Sequence, residues 1–303
     1  MGASLRRSIV LTRRSVNELL SELLDCLALT REGDDRFRGI CETSRHGRIF
    51  GGQVLGQALM AAGLTVDDRP AHSMQAYFLR RGDPEKPIEF FVDRLRDGRS
   101  FSARRVLAIQ DDRELLSLQA SFHAAEPGYE HQDPMPEAPP PESLPAFAEL
   151  VERMQERFPA RSAGWAAKPR SIEMRHTVVP SYLGGEPGRE PNLAWFRAEA
   201  ALPEDPLLHQ CLIAYTSDMA FNDNALRAHV GPGEPPLQAM STVDHAIWFH
   251  EPARADEWLL FAQQSPKAAR ARGFVRGTIY SRDGRLVASV GQDSLMRPEQ
   301  TAG

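Results

Sequence analysis

An aspartate directly followed by a histidine, Asp244-His245, stands in the middle of the stretch STVDHAIWFH at 241–250. A carboxylate that orients an imidazole is a common arrangement in hydrolytic sites, so these two residues could form part of a catalytic group. The surrounding residues are mostly β-branched or aromatic, which predicts a strand, and neighbouring side chains of a strand leave on opposite faces. We therefore expect Asp244 and His245 to point apart, with Thr242 on the face of Asp244, and the chemistry to involve residues distant in sequence.

Several sequence signatures of catalysis are missing. The chain has no G-x-S-x-G elbow, no H-E-x-x-H, no G-x-x-x-x-G-K-[ST] and no G-x-G-x-x-G after a predicted strand. Their absence argues against serine hydrolases, zinc hydrolases, P-loop proteins and Rossmann enzymes. Three isolated cysteines without C-x-x-C spacing argue against structural zinc and fit a reducing compartment. We expect no metal and no cofactor.

The composition is that of an ordinary globular protein. The 303 residues are 42% hydrophobic and 25% charged, and the net charge of -5 argues against a nucleic-acid partner. No run of 18 apolar residues predicts a transmembrane helix, so we expect no membrane insertion. The chain ends Thr301-Ala302-Gly303 and not with the peroxisomal Ser-Lys-Leu. We expect a cytoplasmic protein.

A proline-rich segment from Pro127 to Pro145 divides the chain, because its proline density excludes a helix or a central strand. A short amphipathic helix is predicted after it, starting near Phe147 and reaching Phe158. We predict four regions: an N-terminal extension (1–18), a first repeat (19–125), a linker with the short helix (126–170) and a second repeat (171–298).

Both halves show the same order of elements, an apolar helix and a set of strands. Apolar residues at helical spacing predict the helices at 52–66 and 207–221. Runs of β-branched and aromatic residues bounded by turn residues predict the strands. The predicted strands are 72–79, 88–95, 101–109 and 115–123 in the first half, and 192–200, 241–250, 258–265, 273–281 and 286–296 in the second.

The two halves also resemble each other in residues. SFSARRVLAIQDDRELLSLQAS (100–121) can be laid over ARGFVRGTIYSRDGRLVASVGQ (271–292), and each reads as a strand, a polar turn and a strand. One long helix wrapped by an antiparallel sheet, made twice in one chain, is the double hotdog architecture of the α+β class. The alternative is a pair of unrelated α+β units.

Several stretches resemble the type II acyl-CoA thioesterase family, and they occur in the family's order from about Leu19 to Arg297. This resemblance implies a double hotdog fold and hydrolysis of acyl-CoA to a free fatty acid and coenzyme A. The stretches are FGGQVLGQAL (50–59), YFLRRGD (77–83), LRDGRSFSARRV (95–106), YTSDMAF (215–221), STVDHAIWFH (241–250) and ARGFVRG (271–277).

In that family an Asp on the second-half helix, a Thr on the following strand and a Gln on the last strand hold the hydrolytic water. The resemblance places these roles on Asp218, Thr242 and Gln292. A thioester carbonyl is electrophilic and its thiolate leaves readily, so a carboxylate base and two groups that fix a water can suffice without a nucleophilic serine. Direct attack by the carboxylate, through an anhydride, stays open as an alternative.

Four further residues are expected to contact the substrate. Gln57 lies on the first-half helix and His46 precedes that helix; the alternative for Gln57 is a polar group satisfied between helix and sheet. Arg104 and Arg272 are candidates for the phosphates of coenzyme A, because guanidinium groups bind phosphate oxygens in pairs. The first half has no acid at the position equivalent to Asp218, so we expect one working site, built mainly by the second half.

Two other functions remain open: a hotdog hydratase or dehydratase that uses an Asp/His pair, and a non-catalytic acyl-CoA-binding protein. The Asp, Thr and Gln set favours hydrolysis over both. Because hotdog sheets leave edge strands that can pair, we also predict a homo-oligomer of two or four chains.

Overall fold

The computed structural model of the chain describes residues 16–43, 47–157, 170–229 and 237–298. Short 3-10 turns at Pro141–Ser143 and Ser181–Leu183 accompany the regular elements. In chain order the helices and strands are α1 (Val16–Leu27), β1 (Thr30–Arg31), β2 (Arg36–Gly39), α2 (Gly51–Gly63), β3 (Ala71–Phe78), β4 (Ile88–Asp97), β5 (Phe101–Gln110), β6 (Arg113–His123), α3 (Phe147–Arg157), β7 (Ile172–His176), β8 (Asn192–Ala198), α4 (Pro206–Ser217), α5 (Asp223–Leu226), β9 (Leu237–Phe249), β10 (Leu259–Ala269), β11 (Arg272–Ser281) and β12 (Leu286–Pro298).

All the strands belong to one antiparallel sheet, in the order β1-β2-β4-β5-β6-β3-β9-β12-β11-β10-β8-β7. The halves meet at β3 and β9, where Met74 pairs with Ile247. Read outward from this junction, the first half runs β3-β6-β5-β4-β2 and the second half runs β9-β12-β11-β10-β8. The hairpins β5–β6 and β11–β12 therefore occupy equivalent places, and the predicted double hotdog fold is confirmed.

The helices α2 and α4 pack against each other on one face of the sheet. From Gly52 to Gly63 every residue of α2 is buried, as expected for an almost wholly apolar helix. A Cβ at Gly52 would collide with the carbonyl oxygen of Tyr215, near the end of α4, and a Cβ at Gly63 with Leu207, near its start. The helices thus run antiparallel, and the first turn of α2 lies beside the last turn of α4.

Most long elements agree with the sequence, whereas several short ones were missed. The second-half helix ends at Ser217 and not at residue 221, because Asp218 caps it and Ala220 has a φ of 58°. The strands β1, β2 and β7 and the helix α5 have between two and five residues, too few to show a period. The amphipathic α1 was also not predicted, although its buried Leu23 and Leu27 join the main core.

The linker helix is confirmed as α3, and its apolar face forms a separate cluster with Leu183. Phe158 lies outside the described residues. The segment before α3 lies against the second half, where Trp195 Nε1 donates to the carbonyl of Pro139 over 2.9 Å. The boundaries of the four regions stay predictions. Among the described residues, no helix is long and apolar enough to cross a membrane.

Candidate functional site

Asp218 directly follows α4 and caps it. Because α2 and α4 are antiparallel, its carboxylate lies against the first turn of α2, where the backbone N–H of Gly52 donates to it. A Cβ at Gly51 would lie 2.6 Å from Asp218 Oδ2, so this approach needs a residue without a side chain. The glycines that begin α2 therefore allow the acid to reach the helix terminus.

Burial sets the proton affinity of Asp218. The side chain is only 7% exposed, and burial raises its pKa to about 7. Hydrogen bonds from Thr242 and from the Gly52 N–H act in the opposite direction, since they stabilise the carboxylate. The positive end of the α2 dipole also favours the charged form. A carboxyl group with this pKa is suited to take up and release a proton near neutral pH.

Thr242 and Gln292 extend from Asp218 as one hydrogen-bonded series. The hydroxyl of Thr242 donates to Asp218 Oδ1 over 3.2 Å, and Gln292 Nε2 donates to Thr242 Oγ1 over 3.3 Å. Gln292 Nε2 also donates to Ser294 Oγ over 3.1 Å, and both residues are fully buried on β12. The fold thus brings together the three residues that the family resemblance indicated, from one helix end and two neighbouring strands.

His245 joins the same series, which the sequence did not predict. Its Nδ1 lies 2.7 Å from Gln292 Oε1, and its Nε2 lies 2.9 Å from Ser217 Oγ. The expectation that Thr242 and His245 occupy opposite faces is therefore wrong. Asp293 pairs with Asp244 and the next residue of β12, Ser294, pairs with Thr242, so Val243 is an extra residue in β9.

Such a β-bulge interrupts the alternation of side chains. The bulge at Val243 lets Thr242 contact the nitrogen and His245 contact the oxygen of the Gln292 amide. A bulge is defined by the partner strand, so the sequence of β9 alone contains no signal for it. Asp244 is separate from this group, because its carboxylate accepts the backbone N–H of Asp293 over 3.0 Å. Asp244 and His245 thus have different partners, as expected for side chains that point apart.

Arg104 has a structural environment and not that of a phosphate ligand. Its side chain is 1% exposed, and it donates to the hydroxyl and carbonyl of Thr65, to the carbonyls of Arg96 and Ala103, and to Asp97. These five bonds use all five N–H groups of a guanidinium. Side chains alternate between the two faces along β5, and Arg104 lies on the buried face. We therefore leave Arg104 out of the proposed substrate contacts.

Gln57 is likewise satisfied inside the protein. Its Nε2 donates to the carbonyls of Cys26 and Ile40, and its Oε1 accepts from Gln53 Nε2. The alternative given for Gln57, a polar group held between helix and sheet, fits this environment. Arg272 is different, because its side chain is 57% exposed and, among the residues that the structure describes, its ion pair is a long one of 3.5 Å to Asp293 Oδ2. His46 lies outside the described residues.

The place in the first half that corresponds to Asp218 is apolar. Leu64 directly follows α2, as Asp218 directly follows α4, and the neighbouring first turn of α4 contributes Leu207. Ser121, which the repeat equates with Gln292, contacts His72 Nε2 over 2.8 Å. Among the described residues, no group of three or more His, Cys, Asp or Glu side chains could hold a metal ion.

Two antiparallel helices wrapped by one continuous sheet, with a buried acid where they meet, define a double hotdog protein. Two family models match the chain: one described as acyl-CoA thioesterase, over residues 167–295, and one described as acyl-CoA thioesterase N-terminal domain, over residues 42–123.

Relatives and a solved structure agree with the family models. The chain is 35% identical to acyl-CoA thioesterase 2 of Haemophilus influenzae, over 93% of this chain and 99% of that protein. It is 39% identical to human acyl-coenzyme A thioesterase 8, over 87% of this chain and 85% of that protein. The structure of acyl-CoA thioesterase II TesB2 from Mycobacterium marinum superposes with a TM-score of 0.74 at 38% identity, covering 93% and 99% of the two chains. The chain belongs to the acyl-CoA thioesterase family.

Proposed function

We propose that this protein hydrolyses acyl-CoA to a free carboxylic acid and coenzyme A, with a water molecule activated by Asp218. The observation that supports this most directly is the hydrogen-bonded series from Asp218 through Thr242 to Gln292 at the first turn of α2. It combines a base of suitable proton affinity with two neutral groups that fix the carboxylate beside its water, next to N–H groups that carry partial positive charge.

In the proposed reaction the carboxylate of Asp218 takes a proton from water, and the water oxygen forms a bond to the thioester carbonyl carbon. Backbone N–H groups of the first turn of α2 stabilise the negative charge on the carbonyl oxygen. The tetrahedral intermediate collapses and the carbon–sulfur bond breaks. The proton held by Asp218 then passes to the departing thiolate, which restores the base. Thr242, held by Gln292, fixes the carboxylate and so restricts the position of the water throughout.

Arg272 remains our candidate for a contact to the coenzyme A phosphates. Within the described part of the chain its exposed guanidinium makes one long contact, to Asp293, so donors are available to a ligand. Arg272→Ala should raise KM for acyl-CoA and leave kcat nearly unchanged, because a phosphate contact distant from the thioester binds substrate and transition state equally. The outer strands β1 and β7 leave two sheet edges, and association of two or four chains stays a prediction that light scattering at micromolar concentration would test.

The activity is tested by following thiol release from a series of acyl-CoA chain lengths with a thiol reagent. We expect thiol release by the wild type and a loss of roughly 10²- to 10⁴-fold in Asp218→Asn, which keeps the shape but removes the base. A hydratase would change enoyl absorbance without releasing thiol, and a binding protein would do neither. Full activity of a folded Asp218→Asn protein would exclude the proposed base. Incorporation of ¹⁸O from labelled water into Asp218 in a single turnover would instead indicate an anhydride.

A further inference from the structure

A buried histidine outside the proposed reaction contacts the far end of its hydrogen-bonded series. His245 is 1% exposed, and Ser217, Gln292 and Ser294 around it are completely buried. Burial lowers the pKa of His245 to about 4, so the ring is neutral at physiological pH and carries one proton. Which ring nitrogen holds that proton decides which way the neighbouring amide can face.

The amide of Gln292 has a donor end and an acceptor end. With Oε1 toward His245, its Nε2 donates to Thr242, and the hydroxyl proton of Thr242 is then directed to Asp218. With the amide reversed, its oxygen would accept the hydroxyl proton of Thr242, and Asp218 would lose a hydrogen bond that stabilises its carboxylate. The first orientation requires a proton on His245 Nδ1, since Gln292 Oε1 can only accept.

We propose that His245 is a positioning residue that fixes the direction of the hydrogen bonds leading to Asp218, by donating from Nδ1 to Gln292. This rests on the proposed function, in which Asp218 is the base. Ser217 contacts the other ring nitrogen: its hydroxyl donates to the carbonyl of Ala214 over 2.8 Å and lies 2.9 Å from His245 Nε2. With Nε2 unprotonated, the hydroxyl proton of Ser217 is shared between the ring nitrogen and that carbonyl.

The proposal makes a direct spectroscopic claim. In protein labelled with ¹⁵N-histidine, the His245 ring at pH 7 should show a protonated Nδ1 and an unprotonated Nε2. The signals are assigned by their absence from the spectrum of His245→Asn. The opposite tautomer, with the proton on Nε2, would overturn the proposal whatever the activity of the enzyme.

Kinetics of two replacements test the role in turnover. The amide nitrogen of His245→Asn can stand near the place of Nδ1 and donate to Gln292, whereas His245→Leu fills space without a donor. We expect kcat to fall about 10- to 100-fold in His245→Leu with little change in KM, since misdirected groups near the reacting atoms cost about this much. His245→Asn should stay within a few-fold of the wild type. Equal kcat in Leu and Asn variants would contradict the proposal.

Ser217→Ala covers the case in which His245→Leu does not fold. It removes the hydroxyl that contacts Nε2, so the ring loses one of its two fixed contacts, and kcat should fall several-fold. Ser121→Ala in the first half is the matched control and should leave kcat unchanged. Loss of activity in Asp218→Asn together with normal kcat in Ser217→Ala and His245→Leu would reject the role of His245 alone. Full activity in Asp218→Asn would reject the proposed function itself.

Discussion

The carboxylate of Asp218 accepts the backbone N–H of Gly52, so the acid that ends α4 is joined to the first turn of α2. These residues belong to different halves of the chain, and the contact exists because the two helices are antiparallel and closely packed. Its effect opposes that of burial: the N–H stabilises the carboxylate, and the apolar surroundings stabilise the acid. The balance places the pKa of Asp218 at about 7.

Turnover should rise with pH through neutrality. Because the base must be ionised, kcat/KM should increase about tenfold per pH unit well below 7 and level off above it, given the pKa of about 7 for Asp218. The measurement is kcat/KM between about pH 5.5 and 8.5 at constant ionic strength. The residual activity of Asp218→Asn should lack this acid limb. A wild-type profile that is flat across neutrality would rule out a base with this pKa.

Asp218→Asn should stabilise the protein at neutral and alkaline pH. The folded-state pKa is raised from 3.8 to about 7, so the contribution of Asp218 to stability is full below pH 4 and is lost as pH rises to 7. At about 1.4 kcal/mol per pKa unit, the loss amounts to about 4 kcal/mol. Urea unfolding at pH 4.5 and pH 8 should show that the free energy of unfolding of the variant, relative to that of the wild type, is higher at pH 8. An identical difference at both pH values would mean that Asp218 titrates alike in the folded and unfolded chains.

Gly51→Ala should impair activity more than stability. The new Cβ would lie 2.6 Å from Asp218 Oδ2 and 3.2 Å from the ring of Phe78, so the carboxylate must move. Alanine is also a better helix former than glycine by roughly 1 kcal/mol, which offsets part of the strain. We expect kcat to fall at least about tenfold, since displacing a reacting group by an ångström can cost about 10²-fold. Gly128→Ala, where nothing lies within 4 Å, is the control. Normal kcat in Gly51→Ala would show that the carboxylate position is not critical.

The two halves should differ in their response to matched changes. Gln292→Ala and Thr242→Ala should each slow turnover, because groups that position charge in a transition state contribute roughly 2.7–4 kcal/mol. Ser121→Ala, at the place equivalent to Gln292, should retain normal turnover. Gln57→Ala should destabilise the fold and lower kcat less than Gln292→Ala does, since it removes three hydrogen bonds made by a buried side chain. If Gln57→Ala shows the largest loss of kcat and Gln292→Ala has a kcat near that of the wild type, the working site lies in the first half of the chain and the assignment fails.

Local patterns in the sequence predicted most of the long elements and the repeat. Helical spacing in α2 and alternating apolar residues in β5 and β6 are local properties, set by which faces must be buried, and the structure has these elements where the pattern predicted them. The resemblance to a family added Asp218, Thr242 and Gln292, and the structure shows them hydrogen-bonded in that order.

How these side chains meet depends on contacts between distant parts of the chain. The extra residue Val243 depends on the register between β9 and β12, and it turns His245 toward Gln292. The contact of Asp218 with Gly52 depends on the packing of two helices from different halves. Arg104 resembled a phosphate ligand in sequence, but it is buried among protein acceptors. Strand register and helix packing arise from contacts between residues far apart in the chain, so no local pattern of one segment specifies them.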